Sequence, residues 1–276
     1  MGFRIAGLQF QLRAIWSDVE LIAGKKIIVV MPAYNASRTL SQTHSEIPRE
    51  FVDDILLVDD ASVDDTFRMA RKIGIRTVRH DANLGYGGNQ KTCYKRALRL
   101  HGDIIIMLHP DYQYTPTLIP AIASLLAYGP YDVVLGSRIL TGGALKGGMP
   151  YHRYVFNRVL TAIQNLAWRT KISEFHTGLR GFRRYVLEDI DYEANSDGFV
   201  FDNQILAQIL MRGYSIGEIS CPTSYHPNAS SIEFKRSVTY GLGVLKTTIE
   251  LLTAQAGIYT PTYLQPLPIR SKSREW

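Results

Sequence analysis

From residue 26 onward the chain alternates short apolar, β-branched runs with amphipathic stretches of ten to fifteen residues. The runs are KIIVVMP (26–32), DILLVDD (54–60), IRTVRH (75–80), DIIIMLHP (103–110) and YDVVLGSR (131–138). Near-continuous apolar runs of this length suit strands covered on both faces, as in a parallel sheet. Helices are predicted near 37–46, 63–73, 87–100 and 117–127. Strands and helices alternating in this way predict right-handed βαβ units: an α/β fold with a doubly wound, mostly parallel, Rossmann-like sheet flanked by helices.

The second half holds a Gly-rich loop (141–150), a long helix over about 151–169, and the segment SEFHTGLRGFRR. A helix near 200–213, the strand-like YSIGEIS and an amphipathic helix near 234–254 follow, then a poorly ordered tail from 259. Residues 1–24, with Leu8, Phe10, Leu12, Ile15 and Trp16, form an amphipathic lead-in. This divides the chain into an N-terminal extension (1–24), a catalytic domain (25–232) and a C-terminal helix with tail (233–276).

Composition narrows the class. Of 276 residues 46% are hydrophobic and 20% charged, with a net charge of +6, which fits a globular protein and favours an anionic ligand or membrane surface; no nucleic-acid partner is called for. Cys93 and Cys221, far apart and in no metal spacing, suggest reduced thiols. The N-terminus lacks a signal peptide's apolar block. The charge-free stretches 112–131 and 251–269 each carry three prolines, which argues against membrane spans. The expectation is a cytoplasmic protein, with peripheral contact at the inner membrane face and a homo-oligomeric state left open.

Ligands of open α/β sheets bind beyond the carboxyl ends of the strands. Those ends carry Pro32, Ala33, Tyr34 and Asn35; Asp59 and Asp60; Asn83, Gly85 and Gly87; and His109 and Asp111. Ser62 with Asp65 reads as a capping box. The NLGYGG segment is either a phosphate cradle of backbone amides or a plain turn. Asp111, with His109 and Gln113 beside it, offers hard ligands to Mg²⁺ or Mn²⁺ on a diphosphate, or is a turn aspartate.

Taken in order, these segments resemble glycosyltransferase family 2, and within it the polyprenyl- and dolichyl-phosphate sugar synthases, over about residues 26–220. PAYN (32–35) is similar to P-x-Y-N-E, VDDASVDDT (58–66) to VDDGSxDGT, NLGYGGNQKTCYKRA (83–97) to N-x-G-K-G…A, and HTGLRGFRR (176–184) to the T-S-G-F-R segment. The resemblance implies a GT-A fold, a nucleotide-diphosphate sugar donor, a divalent metal and inversion at the anomeric carbon. Three positions depart from the pattern. Ala36 stands where Glu is usual, and His109 replaces the first Asp of D-x-D while Asp111 keeps the second. His226 to Ser231 replaces a basic G-x-S-K segment, which weakens the case for a lipid-phosphate acceptor.

Asp202 falls where processive members carry the aspartate of their T-E-D motif, a general base; otherwise it is a helix N-cap acid. The implied reaction moves a sugar from a nucleotide-diphosphate donor, taken as UDP-linked, to an acceptor hydroxyl on a glycan or lipid-linked acceptor, in surface-glycan or glycolipid synthesis. In it, Ala33, Tyr34, Asp60 and Asn83 hold the nucleoside, Asp111 with His109 the metal, Asp202 takes the proton, and His176, Thr177 and Arg180 line the acceptor side, Arg180 able to pair with a phosphate. A polyprenyl-phosphate transferase and a catalytically silent sugar-nucleotide-binding subunit are the alternatives.

Overall fold

The computed structural model describes residues 21–223 and 234–267. The lead-in up to residue 20, the His226–Ser231 segment and residues 268–276 lie outside the described residues.

One seven-stranded sheet organises the chain: β1 (Ile27–Ala33), β2 (Asp54–Asp59), β3 (Arg76–Arg79), β4 (Ile104–Met107), β5 (Val133–Ser137), β6 (Arg180–Arg183) and β7 (Ile216–Ser220), in spatial order β3-β2-β1-β4-β6-β5-β7. Pairing is parallel except for β6, which runs antiparallel to β4 and β5. Every residue of β1, β4 and β5 is buried, as β-branched runs covered on both faces require. β3 is one edge strand, with β7 at the other edge, and is only half-buried.

The helices are α1 (Leu40–Ser45), α2 (Thr66–Lys72), α3 (Gly85–Arg99), α4 (Ile119–Tyr128), α5 (Gly143–Lys146), α6 (Tyr151–Trp168), α7 (Arg184–Asp189), α8 (Phe201–Met211) and α9 (Phe234–Gln255). Two apolar layers result. One face of the sheet packs Val30, Val58 and Met107 against Tyr94, Phe201 and Ile205 of α3 and α8. The other packs Val29, Leu57 and Ile106 against Leu40, Ala70 and Ile122 of α1, α2 and α4.

From β1 the chain winds outward through β2 to β3, then returns to β4 on the other side of β1. That reversal opens a crevice beyond the carboxyl ends of β1 and β4. The loops Tyr34–Asn35 and His109–Asp111 leave the sheet there.

Three expectations are corrected. SEFHTGLRGFRR contains a strand, β6, whose Arg180 is a core residue at 1% exposure. The tail from 259 is packed as far as Leu264: Tyr263 and Leu264 are buried, and Gln208 Nε2 donates to the Tyr263 carbonyl. Ser62 and Asp65 form no capping box. Asp65 makes no side-chain cap bond to α2, and Ser62 Oγ instead accepts from Asn35 N at 2.9 Å.

α9 docks through Val244, Leu251 and Ala254. Leu242, Ile249 and Leu252 stay exposed on its other face. No helix among the described residues is long and apolar enough to cross a membrane.

Candidate functional site

Beyond β4 the chain turns sharply. Tyr112 takes φ 59°, and Asp111 is clasped by Gln113, whose N and Nε2 donate to its two carboxylate oxygens at 3.2 and 2.9 Å. The Pro110 carbonyl is fixed from the α1 side by Thr39 and Thr43 hydroxyls at 2.6 and 3.2 Å. His109 packs edge-on over Gly178, where a Cβ would come within 2.6 Å of its Cδ2. Only glycine allows this approach.

Helix α3 brings Tyr86 to the same place. Its ring lies parallel to His109, centroids 5.4 Å apart, and against Phe199 on the other side at 4.8 Å. The Tyr86 hydroxyl donates to Asp202 Oδ2 at 2.7 Å and lies 3.2 Å from His109 Nε2. Asp202, in the first turn of α8, also accepts from Gln90 Nε2 at 3.0 Å and pairs with Arg180 at 3.3 Å.

His109 and Asp111, just beyond β4, and Asp202, far along the chain, thus line one cavity of about 430 Å³. Met149 just before α6, Phe156 and Leu160 on it and Val238 of α9 give it an apolar side; Arg138 after β5 with His152 and Arg153 of α6 gives a basic one, and His176 lines it from between α6 and β6.

The electrostatics are set by burial. Burial pushes the His109 imidazole below its ordinary pKa, with Asp111 and Asp202 opposing, so the ring is driven toward neutrality. His176 is lowered further, to about 4, again by burial first, with Glu174 opposing. Burial and then Asp202 hold the Tyr86 hydroxyl well above its ordinary value, so it keeps its proton. Behind the wall, the carboxylate of Glu174 is held low in spite of complete burial. Arg138 supplies the compensating charge, donating from N at 2.8 Å and Nε at 2.9 Å.

Other residues expected at the site are committed elsewhere. Asp60 is 2% exposed, and its carboxylate accepts from His80 Nδ1, Leu84 N and Gly85 N at 2.7, 2.8 and 3.0 Å. Both its oxygens thus tie the loop before α3 to the tip of β2. Asp59 is fully buried and pairs with Arg79 at 3.2 Å. Asn83 caps the same turn, donating to the Asp60 carbonyl and accepting from Gly85 N.

Gly85 and Gly87 do not cradle phosphate. Their amides go to Asp60 and, at 2.7 Å, to the Asp197 carbonyl. Glycine is needed because Gly85 has φ +88° and a Cβ on Gly87 would lie 2.3 Å from the Ser196 carbonyl oxygen.

Arg180 does not meet a phosphate either. Its guanidinium donates to the carbonyls of Thr177, Asp202 and Phe175 at 2.7, 2.9 and 3.3 Å, besides pairing with the Asp202 carboxylate. The Thr177 hydroxyl bonds the Gly136 carbonyl. Arg183 and Arg184 are no solvated run, since both donate to backbone carbonyls. Pro32 and Ala33 are buried in β1. Tyr34 is 54% exposed on the rim, and Asn35, at φ 53°, accepts from Val63 N.

Sequence reasoning missed Tyr86, Gln90 and Tyr240. The last donates to or accepts from His176 Nδ1 at 2.7 Å from across α9. Only helical spacing could have signalled the first two: Tyr86 and Gln90 stand four apart on α3 and so share a face.

Among the described residues no three His, Cys, Asp or Glu side chains group as metal ligands. His109 and Asp111 would supply at most two. That fits a hard divalent ion on a diphosphate, which keeps waters and substrate oxygens and takes only one or two protein ligands.

The chain is 24% identical over 74% of its length, and 88% of the relative's, to a UDP-N-acetylglucosamine–dolichyl-phosphate N-acetylglucosaminyltransferase of Methanococcus voltae. It is 24% identical over 71% of its length, and 76% of the relative's, to a polyprenol monophosphomannose synthase of Mycolicibacterium smegmatis. The fold matches glucosyl-3-phosphoglycerate synthase of Mycobacterium tuberculosis, solved with Mn²⁺, UDP-glucose and phosphoglyceric acid, with TM-score 0.63 and 18% identity over 86% of this chain and 81% of that one. This likeness establishes the GT-A fold expected from the sequence. The profile of the family described as "Glycosyl transferase family 2" spans residues 28–191, from β1 through β6 and α7 and so through both strands that open the crevice, and the chain belongs to that family of glycosyltransferases.

Proposed function

We propose that the protein transfers a sugar, with inversion, from a UDP-linked donor to a hydroxyl of a lipid-linked acceptor. The observation that carries this reading is the placing of Asp202 in the same cavity as Asp111 and His109. A hydroxyl must lose its proton as it attacks and needs a base within hydrogen-bond reach. A carboxylate has about four lone-pair directions. Tyr86, Gln90 and Arg180 engage three, which leaves one for an acceptor hydroxyl.

Asp111, with His109, would hold the divalent ion, Mg²⁺ or Mn²⁺. When bound it neutralises charge growing on the departing diphosphate. The chain's own residues then orient the base, through Arg180 and Tyr86, and exclude water with the apolar wall of α6 and α9. Tyr34 and Asn35, on the crevice rim, remain the candidates for nucleoside contact.

The test is thermal unfolding with UDP, UDP-sugars and Mn²⁺. A donor at a hundredfold excess over its Kd stabilises by about 2.7 kcal/mol. Stabilisation by UDP-sugar that requires Mn²⁺, and is lost in Asp111→Ala, is the expected result. An equal shift in that variant removes Asp111 from the metal site.

A lipid-linked acceptor is favoured by the cavity's mouth. Phe156 and Val238 line the cavity and are also exposed, 40% and 46%. They continue into exposed apolar side chains on α6 (Val155, Val159, Leu166) and on α9 (Leu242, Ile249, Leu252). This face would rest on the inner membrane leaflet, as peripheral amphipathic helices do. Leu242→Glu with Ile249→Glu should lower sedimentation with phosphatidylglycerol-containing vesicles about tenfold or more, since each buried side chain contributes about 1.5–3 kcal/mol. Unchanged sedimentation would rule out this face.

A second reading, transfer to a polyprenyl phosphate, is supported by the named relatives and by the basic side of the cavity. It needs no base, which makes Asp202 the discriminating residue.

A further inference from the structure

Tyr86 and His109 share a hydrogen bond whose direction the surroundings decide. A tyrosine hydroxyl has one proton to donate. The Asp202 carboxylate, which can only accept, lies at 2.7 Å and takes it. Towards His109, at 3.2 Å, the same oxygen can only accept. The proton of the neutral imidazole must therefore sit on Nε2.

We infer that Tyr86 is a positioning residue that locks His109 in the Nε2–H tautomer, leaving the Nδ1 lone pair as a neutral ligand for the divalent ion. This rests on the reading of the cavity as the donor-metal site.

Independent contacts hold the ring in place. The Nε2–Cδ2 edge is the one that packs on Gly178, where a Cβ would meet both atoms at 3.0 and 2.6 Å. His109 lies parallel to Tyr86, whose ring in turn meets Phe199 at a tilt of 34°, so neither ring can turn without losing these contacts. Nδ1 lies on the ring edge away from Gly178.

The tautomer also links the His109 departure from the family pattern to a further one, at Tyr86, beside the three noted in the sequence. Tyr86 stands at the Lys of N-x-G-K-G, and His109 at the first Asp of D-x-D. The two exchanges cancel in charge. A carboxylate needs no partner to present a lone pair, whereas an imidazole presents one at Nδ1 only if something holds its proton on Nε2. Tyr86, anchored by Asp202, is that partner, and a metal-ligating histidine oriented through its second nitrogen is a general arrangement.

The test is long-range ¹H–¹⁵N correlation of ¹⁵N-histidine-labelled, metal-free protein at neutral pH, with His109 assigned by loss of its signals in His109→Gln. His109 is expected to show a protonated-type Nε2 and a lone-pair-type Nδ1. Tyr86→Phe keeps the ring stack and removes the hydroxyl. It should shift His109 toward a mixture of tautomers and weaken Mn²⁺ binding, read by electron paramagnetic resonance of free Mn²⁺ with UDP present, by roughly 10- to 100-fold. In the His109→Gln background the same change should have no further effect on Mn²⁺ binding.

A protonated-type Nδ1 in the wild-type protein overturns the inference, as does an unaltered His109 pattern in a Tyr86→Phe protein that unfolds at the wild-type temperature. The tautomer is read without substrate. A locked tautomer in a protein that transfers no sugar would sink the proposed reaction and leave this inference standing, and the converse holds as well.

Discussion

Asp202→Asn should lower kcat for sugar transfer to a hydroxyl acceptor by about 10²–10⁴-fold, the range over which a positioned general base acts. The substitution keeps the shape of the side chain, and an amide oxygen can still accept from Tyr86 or Gln90. It removes the ability to take a proton. Donor binding should survive as long as the amide oxygen keeps accepting from Tyr86, because the proposed metal ligands lie beyond β4 and Asp202 on α8. The measurement is UDP release and glycoconjugate formation with a UDP-sugar and a lipid-linked acceptor, alongside the UDP-dependent thermal shift. A rate within a few-fold of wild type, with the thermal shift intact, would show that no proton needs removing. The acceptor would then be a phosphate, already an anionic nucleophile.

The second large effect is on stability. Arg180→Met should destabilise the protein by about 3–5 kcal/mol, the loss expected when one partner of a buried ion pair is removed. Arg180 is 1% exposed, and its guanidinium satisfies three carbonyls and the Asp202 carboxylate. Methionine fills much of the volume and satisfies none of them. For a chain of this size that corresponds to a fall in Tm of roughly 6–20 °C. Adding Asp202→Asn should recover part of the loss, since it removes the charge left unpaired. A loss below about 1 kcal/mol would mean that water reaches the carboxylate and that Arg180 does not hold it.

The two effects share a cause. Asp202, the proposed base, is carried on the first turn of α8, yet its direction is set by Arg180 from β6 and Tyr86 from α3. Conservative changes at either should lower activity without touching substrate.

How much of this was legible in the chain differs by level. The runs at β1, β2, β4 and β5 announce themselves through β-branched residues, because strands buried on both faces have no use for alternation. The helices follow from their period. β6 does not announce itself: RGFR holds two arginines in four residues, and no pattern suggests that the first is core. Its charge is compensated by Asp202, twenty-two positions later, in contact only after folding.

The site divides similarly. Asp111, His109 and Asp202 were found through their motif positions, and the fold brings all three to one cavity. Asp60, Gly85, Gly87 and Arg180 carry the same kind of signal, polar or glycine residues at strand tips and turns, and prove to serve the frame. A carboxylate at a strand tip looks identical whether it faces a ligand or a neighbouring loop. The choice is made by which amides arrive, here those of Leu84 and Gly85.

By itself the sequence determined the α/β alternation and the crevice end of the sheet, and it named the residues proposed here to hold a metal and take a proton. These follow from side-chain type and spacing along one dimension, which local chemistry settles. The tertiary structure alone decided which polar groups remain available to a ligand, that Arg180 and Tyr86 aim Asp202, and which nitrogen of His109 carries the proton. Those are matters of hydrogen-bond satisfaction in a buried space. Each donor there takes the acceptor nearest to it in three dimensions, wherever that acceptor lies along the chain.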